Sequence, residues 1–329
     1  VLSLALLCQL LMPHADGAEH PLRAGVAVSR ITPELGRDII GGFVPFPSTE
    51  IHDELHARCL VLDDGETRLA LVVCDLLGID RIVSEQARQQ IHARYGIPPE
   101  QVLISATHTH SASSALGQDP RRLNQPIDDY QKRVADRIAE AVGAAIEQLR
   151  PAEIAFGTAV VPDHVFNRRW HMRPGTNPPN PFGDADLVRM NPPRASENLV
   201  EPAGPTDPEV SFLSVRQPDG VPMAVYAAYS LHYVGGVKRG HVSADYFAIF
   251  SEHLRELLTA VRDGDAGSFV AMMANGTSGD INNINFRKKR AKREPYEQMT
   301  LVGRDVAEKV HQAMDGLAYQ SEGTLAAAY

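Results

Sequence analysis

Two histidines follow a predicted strand at the start of one short polar segment. His108 and His110 belong to His108-Thr109-His110-Ser111, which comes directly after the apolar run QVLISAT. In an extended chain, residues two apart point to the same side, so both imidazoles could face one site. Imidazole nitrogens are common zinc ligands. On spacing alone, a pair of histidines hydrogen-bonded at a loop is an equally good interpretation.

A third histidine, His232, ends the apolar run AVYAAYSLH and precedes a glycine-rich turn. The segment His241-Val242-Ser243-Ala244-Asp245 follows that turn. A lone histidine in such a place is more often structural than a ligand. Zinc sites, however, need ligands that converge from separate strands, and His108 and His232 occupy equivalent positions at strand ends. We therefore predict that these two histidines are metal ligands.

A third polar segment, Asn275 to Asn285, follows the buried run SFVAMMAN and reads NGTSGDINNIN. Its many small and amide side chains are suited to a tight turn that binds a polar substrate or a cation. A plain loop rich in asparagine is the alternative interpretation.

The elements that must position these segments alternate between strand and helix patterns. HARCLVLDD and TRLALVVCDLLG predict a hairpin, and QVLISAT predicts a short buried strand. EIAFGTAVV predicts another strand, and a second hairpin is predicted about the turn Gln217 to Gly220. The predicted helices run from Ile82 to Tyr95, Ile127 to Leu149, near Asp245 to Arg262 and near Tyr296 to Leu317.

Together the elements predict the α/β class, with a mixed β-sheet or β-sandwich core flanked by helices in a single domain. Between Asn167 and Pro208 the chain is rich in Pro, Gly and Asn and shows no period, which is typical of a functional or poorly ordered loop. The last residues, GTLAAAY, have the pattern of a strand.

Composition narrows the class of protein. The 329 residues are 43% hydrophobic and 22% charged, as in ordinary globular proteins. The net charge of -9 argues against a nucleic-acid partner. One basic run, Arg287 to Arg293, predicts a solvated loop or helix face. The functional alternative is that this run contacts an anionic surface.

The amino-terminal run VLSLALLCQLLM, followed by small residues, resembles the end of a secretory signal peptide. We expect residues 1–18 to be part of such a signal peptide. The protein is then expected to be secreted or periplasmic. Residues 19–329 would form the mature domain, and no later segment is long and apolar enough for a membrane helix. Cys59 and Cys74 could form one disulfide or remain two buried thiols.

Read in order, several segments resemble the motifs of the neutral/alkaline non-lysosomal ceramidases. They are IGGF at 40–43, HDELHARCLVL at 52–62, VVCDLLG at 72–78, LISATHTHS at 103–111, Asn167-Arg168, His232 and GDIN at 279–282. The resemblance implies a zinc amidase that cleaves ceramide to sphingosine and a fatty acid. It also implies zinc ligation by His108 and His232, and a substrate or oxyanion contact by His110.

By the same resemblance, Arg168 matches the active-site arginine of the family, and Asp280 lies in its Gly-Asp turn. The remaining zinc ligands of the family, a Glu and a Tyr, lie far downstream of its second histidine. We therefore expect residues 19–329 to be a catalytic domain that is incomplete at its carboxyl end.

Two departures from the family pattern affect the expected mechanism. Ser111 is followed by Ala112-Ser113-Ser114 where family members read GPGG. The family's GDVSPN is GDINNI here, which puts Asn282 at the position of the active-site serine. A carboxamide can hydrogen-bond but cannot form an acyl-enzyme, so only attack by a metal-activated water is expected.

The resulting expectation is a Zn²⁺-dependent hydrolase of ceramidase type that acts on a ceramide-like lipid amide and contacts a membrane surface. Hydrolysis of a polar amide or ester on the same scaffold, or a non-catalytic binding homologue, are the alternatives. The sequence says nothing about the oligomeric state.

Overall fold

The computed structural model describes residues 20–42, 44–116, 126–260 and 268–327. The predicted signal peptide, residues 1–18, lies outside the described residues. Within these ranges the chain forms helices α1 (Arg81–Tyr95), α2 (Asp129–Glu147), α3 (Tyr246–Ala260) and α4 (Glu297–Ala313), with 3₁₀ turns at Pro99–Gln101 and Pro162–His164. No helix in the described part of the chain has the length and apolarity needed to span a bilayer.

The strands are numbered in chain order. They are β1 (His20–Pro21), β2 (Arg23–Arg30), β3 (Asp38–Ile39), β4 (Phe46–Pro47), β5 (Glu50–Ile51), β6 (His56–Asp63), β7 (Arg68–Cys74), β8 (Val102–Ala106), β9 (Arg150–Pro151), β10 (Glu153–Val160), β11 (Phe166–Asn167), β12 (Arg169–Met172), β13 (Val188–Met190), β14 (Leu199–Pro202), β15 (Glu209–Arg216), β16 (Pro222–Tyr229), β17 (His241–Val242), β18 (Val270–Asn275), β19 (Ile281–Asn282) and β20 (Glu322–Gly323).

The first large sheet contains five strands in the order β8-β7-β6-β2-β9. β6 and β7 form the predicted hairpin, and β8 lies parallel to β7 at the edge. Side chains alternate between the two faces. Cys59 and Val61 enter the core beneath the helices, whereas Leu60 and Leu62 enter a second core on the other face. Because both faces are covered, the middle of β6 and of β7 is a continuous apolar run rather than an alternation with polar residues.

The second large sheet contains four strands in the order β10-β15-β16-β18. Its strands are antiparallel except for β16 and β18, which run parallel and so end at the same edge. The predicted hairpin of β15 and β16 is confirmed.

The two sheets face each other and share the core that contains Leu62, Val215 and Met272. Helices α1 and α2 cover the outer face of the first sheet, and α3 and α4 cover the outer face of the second. The architecture is therefore a four-layer α-β-β-α sandwich, which confirms the expected class of a β-sandwich core flanked by helices.

The predicted helices are confirmed, with ends that differ by a few residues. The start of α2 is set by a capping box, in which the Asp128 side chain accepts from the Gln131 backbone and Gln131 reciprocates. α1 ends at Gly96, whose positive φ of 72° allows the left-handed cap.

Three predictions about local structure were wrong. β8 is not buried, because it is the edge strand of its sheet and Leu103 is 49% exposed. The segment between Asn167 and Pro208 is not a plain loop, since β12, β13 and β14 form a small sheet there. The final strand is limited to β20, and residues 324–327 are not extended into a sheet.

Cys59 and Cys74 lie on the neighbouring strands β6 and β7 and are both free and buried. The interpretation as two buried thiols is therefore the one that holds. Burial raises the pKa of both thiols well above the ordinary value. Neither thiol can act as a nucleophile at neutral pH.

Candidate metal centre

Three histidine side chains converge at one end of the sandwich. The Nε2 atom of His110 lies 3.3 Å from that of His108 and 3.2 Å from that of His232. All three ligand atoms lie within 4.8 Å of one another. Nitrogens that ligate one tetrahedral zinc ion are about 3.4 Å apart. Within the described ranges no Cys, Asp or Glu joins this group.

Backbone carbonyls hold two of the rings in the tautomer that a metal needs. His108 Nδ1 lies 2.7 Å from the Leu77 carbonyl, and His232 Nδ1 lies 3.1 Å from the Ser278 carbonyl. A carbonyl oxygen only accepts, so each Nδ1 carries the proton and each Nε2 presents its lone pair to the centre. Such partners on the far nitrogen are typical of metal-ligating histidines.

His108 and His110 reach the centre from the loop that follows β8. His108 has a positive φ of 66°, an uncommon conformation for a residue with a side chain. Its backbone N–H donates to Leu76, which ties the turn to the loop after β7. The ring of His110 stacks on Tyr233 at 3.7 Å between centroids. The loop therefore holds His108 in a strained backbone conformation, and this conformation directs both rings towards one point.

Burial favours the neutral form of the His110 and His232 rings. It lowers the pKa of His110 to about 3, and the neighbouring charges of His108 and His232 lower it further. Burial likewise lowers the pKa of His232 to about 4, although the hydrogen bond to Ser278 opposes the shift. Neutral imidazole is the form that binds a metal, so these two rings are ready to ligate at neutral pH.

A glycine allows a second loop to lie against His110. A β-carbon on Gly41 would come within 2.2 Å of the His110 carbonyl oxygen, closer than any real contact. The backbone of Ile40 donates to Ala112 nearby. The segment that precedes β4 is therefore fitted to the backbone of the histidine loop and would not accept a larger residue at position 41.

The two histidine-bearing loops are joined by the segment Ser243 to Asp245, which we call the bracket. Thr109 donates its hydroxyl to the Ser243 carbonyl at 2.9 Å, and the Ser243 N–H donates to the Ser111 carbonyl at 2.8 Å. These contacts fix the bracket to the loop that carries His108 and His110.

Asp245 connects the same bracket to the loop after His232. Its carboxylate accepts hydrogen bonds from the N–H groups of Val234 at 3.0 Å and Gly235 at 2.8 Å. It also accepts from Tyr246 at 2.7 Å, at the start of α3. Asp245 is fully buried and has a positive φ of 59°. One carboxylate thus orders the backbone next to Tyr233 and the beginning of a helix.

Asp53 holds the bracket from a third side. Its carboxylate accepts from the Ser243 hydroxyl at 2.5 Å and from the Ala244 N–H at 2.7 Å. Burial raises the pKa of Asp53, while these hydrogen bonds oppose the shift. The bracket therefore connects three loops that are far apart in the chain.

The other predicted site residues lie on a two-stranded ribbon of β11 and β19. Arg168 follows β11, and its N–H donates to the Asp280 carbonyl at 2.7 Å. Its positive charge contributes to lowering the pKa of both His110 and His232. The buried Nε of Arg168 has no hydrogen-bond partner in the part of the chain that the structure describes.

Asp280 and Asn282 are less directly connected to the histidines. The Asp280 carboxylate forms an ion pair with Arg169 at 2.6 Å on the exposed part of the ribbon. Asn282 is half-buried and lies opposite Phe166 in the ribbon. Catalytic roles for both residues stay predictions.

Two features of the site were not predicted. The expected role of His110 was a substrate or oxyanion contact, yet its Nε2 lies between those of the two predicted ligands. The two-residue spacing already pointed to a shared side with His108. The role of Asp245 was missed because its partners are backbone N–H groups, which no side-chain pattern reveals.

A family comparison bears on this geometry. The family model described as "Neutral/alkaline non-lysosomal ceramidase, N-terminal" matches residues 25–290, which include all three histidines and the bracket. The chain belongs to this family. The resemblance expected from the sequence motifs is thereby confirmed.

Solved structures with the same fold include the neutral ceramidase from Pseudomonas aeruginosa, with a TM-score of 0.64 and 19% identity. That match covers 91% of this chain and 45% of the other. A ceramidase complexed with C2 matches with a TM-score of 0.66 and 19% identity, over 90% of this chain and 44% of the other. The chain spans less than half the length of these ceramidases, and the likeness at this identity concerns the fold.

Proposed function

We propose that this protein is a zinc-dependent hydrolase of ceramidase type that cleaves the amide bond of a ceramide-like lipid. The observation that carries the proposal is the convergence of three histidines: the Nε2 atom of His110 lies 3.3 Å from that of His108 and 3.2 Å from that of His232, close to the separation of two ligands on one tetrahedral zinc ion, and all three ligand atoms lie within 4.8 Å of one another. Membership of the ceramidase family supports the amide and the lipid character of the substrate.

His108, His110 and His232 are the proposed ligands. Three neutral imidazoles fit zinc well, and a site with three protein ligands and one open position is the usual catalytic arrangement. Zinc bound there would polarise the substrate carbonyl and activate a water for attack at neutral pH.

Arg168 is proposed to stabilise the negative charge that develops on the carbonyl oxygen during attack. Its charge acts on His110 and His232, and its buried Nε lacks a partner in the described ranges. A buried guanidinium donor without a partner favours an anionic group next to it. Asn282 is proposed to hydrogen-bond the substrate, because its carboxamide cannot serve as a nucleophile.

A polar amide or ester is the second candidate substrate, and Asn282 at the family's serine position is the observation that favours it. A non-catalytic binding homologue would have the fold without turnover. We also propose a secreted or periplasmic location, with contact to a membrane surface where a lipid substrate resides.

Metal analysis tests the site. The wild-type protein is expected to retain one zinc ion after dialysis, and His108→Ala and His232→Ala are expected to lose it. His92→Ala is the matched control, since His92 is an exposed histidine on α1. Stoichiometric zinc in both ligand variants would rule the site out.

Substrate assays test the reaction. The zinc-loaded protein is offered ceramide, small polar amides and esters, and the variant Asn282→Ser is assayed beside it. Hydrolysis of ceramide by the wild type supports the first candidate, and turnover of only the small compounds supports the second. Zinc binding without turnover of any of them would favour the non-catalytic homologue.

A further inference from the structure

The basic run Arg287 to Arg293 lies against the small sheet of β12, β13 and β14. The Ala195 N–H donates to the Phe286 carbonyl at 2.7 Å, and Arg287 donates to the Val200 carbonyl at 3.2 Å. The Arg287 guanidinium also covers the Trp170 ring at 4.9 Å. The run is therefore held in place at its first residue, with the following cations projecting into solvent.

Most of these cations have no acidic partner. Within the described residues, Lys288, Lys289, Arg290 and Lys292 are exposed and no carboxylate lies within ion-pair distance of them. Arg293 alone in the run is paired, with Glu297. A group of like charges is unfavourable unless an anion neutralises it.

Arg194 extends the same surface. The N–H of the neighbouring Ala195 donates to the Phe286 carbonyl; partial burial lowers the pKa of Arg194, and the charge of Arg290 lowers it further. Residues 187–203 and 286–297 together carry eight basic and four acidic residues, in a protein of net charge -9. We call these two segments the basic surface.

Apolar side chains are exposed on the same small sheet. Leu187, Met190 and Val200 are 64%, 49% and 48% exposed. A surface that carries both cations and exposed aliphatic side chains matches the interface of a phospholipid bilayer, which offers anionic headgroups and acyl chains. A nucleic acid would neutralise the cations but would leave the aliphatic side chains without a suitable environment.

The basic surface is connected to the candidate metal centre by a short length of chain. The Asn283 side chain donates to the Val234 carbonyl at 3.1 Å, two residues from His232. Phe286, where the basic surface begins, is three residues further on. A protein attached to a bilayer through this surface would hold the centre near the membrane.

We propose that the basic surface docks the protein on membranes that contain anionic phospholipids. This proposal rests on the proposed function insofar as docking would bring a lipid substrate to the centre. The binding itself depends on neither zinc nor catalysis.

Vesicle co-sedimentation tests the proposal with the zinc-loaded chain. Binding is measured to phosphatidylcholine vesicles with and without phosphatidylglycerol, at low and high salt. We expect binding only to the anionic vesicles and a decrease with ionic strength. The variant Lys288→Glu/Lys289→Glu/Arg290→Glu is expected to bind on the order of 100-fold more weakly, given the usual increment for each cation at a membrane surface.

The matched control reverses three exposed cations of α2, in Lys132→Glu/Arg133→Glu/Arg137→Glu. It changes the net charge equally and is expected to weaken binding far less. A second variant, Met190→Ser/Val200→Ser, keeps every charge and is expected to weaken vesicle binding while leaving binding to a DNA duplex unchanged.

Four results would overturn the proposal. These are equal binding to neutral and anionic vesicles, equal losses in the two charge-reversal variants, full vesicle binding by the Ser/Ser variant, or tighter binding to the duplex than to the vesicles. Failure of the proposed function is distinguishable, since a protein that lacks hydrolytic activity but binds anionic vesicles selectively refutes only the catalytic assignment.

Discussion

Replacement of Asp245 by Asn is expected to separate the stability of the fold from the affinity of the metal centre. In the bracket, Oδ1 of Asp245 accepts from Val234 and Tyr246, and Oδ2 accepts from Gly235 at 2.8 Å. The amide oxygen of Asn can keep the first two bonds. Its NH₂ group would face the Gly235 N–H, so two donors would meet in a buried place.

Two opposing contributions determine the stability of this variant. Relative to the protonated Asp245, loss of the hydrogen bond from Gly235 together with an unsatisfied buried N–H costs about 2 to 4 kcal/mol. Against this, burial raises the pKa of Asp245 to about 6 from 3.8, outweighing its three backbone hydrogen bonds. A shift of that size means that the charged form lowers the stability by about 3 kcal/mol at pH 8, a cost that Asn avoids.

The sign of the pH dependence follows from the raised pKa. Stability contributed by Asp245 is fully present below its unfolded pKa and is lost as the pH rises through about 6. In metal-free protein, Asp245→Asn should therefore be less stable than wild type near pH 4 and about as stable at pH 8. Denaturant unfolding at the two pH values measures this difference, and titration of the histidines cancels in the comparison.

Zinc affinity should fall even where the stability does not. The bracket orders the backbone between His232 and α3, and loss of such outer contacts typically weakens metal binding about 10-fold to 100-fold. Competition with a chromophoric chelator at pH 8 measures the affinity, and the ligand-field spectrum of the cobalt-substituted protein reports the ligand geometry.

Asp128→Asn is the matched control for the bracket variant. Asp128 also accepts from a backbone N–H at a helix start, but at α2, and its side-chain partners are Gln131 and Arg37 rather than the bracket. Burial opposes its charge, yet the hydrogen bonds from Arg37 and Gln131 lower its pKa, so its stabilising effect is lost as the pH falls. The two variants should thus show opposite pH slopes. Equal zinc affinities in both would refute the positioning role of Asp245.

Four further outcomes are expected. His110→Ala should weaken zinc binding about as much as the loss of a ligand does, and an affinity within a few-fold of wild type would restore His110 to a substrate contact. Gly41→Ala should lower both stability, by about 1 to 3 kcal/mol, and zinc affinity, because its β-carbon would meet the His110 backbone, whereas Gly42→Ala meets nothing within 4 Å and should be neutral. Calorimetry at pH 5.5 in buffers of different ionisation enthalpy should detect release of no more than about one proton on zinc binding, since the pKa values of His110 and His232 lie near 3 and 4. Asn282→Ser should leave zinc affinity unchanged, and a rise in ceramide turnover would show that the family's serine function can be regained at this position.

The sandwich was predictable from the sequence where strands are buried on both faces. β6 and β7 each contain a continuous apolar run because one face meets helices and the other meets the second sheet. β8 has a similar composition but lies at the edge of the sheet. Whether a strand lies at an edge depends on which other strands pair with it, and its own sequence does not show this. The strands of the small sheet are three or four residues long, too short for their alternation to be recognised.

The sequence predicted which residue types could be ligands in the candidate site, but not the residues that hold those ligands in position. Histidines at strand ends stand out in a sequence, and His108 and His232 were found in this way. Asp245 acts through the N–H groups of Val234 and Gly235, which every residue type except proline offers. Only the folded backbone reveals which of the many aspartates has such partners.

The geometry also favours a metal centre over a structural group of histidines. The Nδ1 atoms of His108 and His232 donate to carbonyls, so their Nε2 atoms can only accept. His110 can place at most one proton between its Nε2 and the other two Nε2 atoms. Its other nitrogen forms a hydrogen bond with the Gly41 backbone. Lone pairs that face one another at 3.2 and 3.3 Å in a partly buried place repel unless a cation lies between them. A structural cluster would gain from rotating one ring, whereas the carbonyls, the Tyr233 stack and the bracket all oppose that rotation.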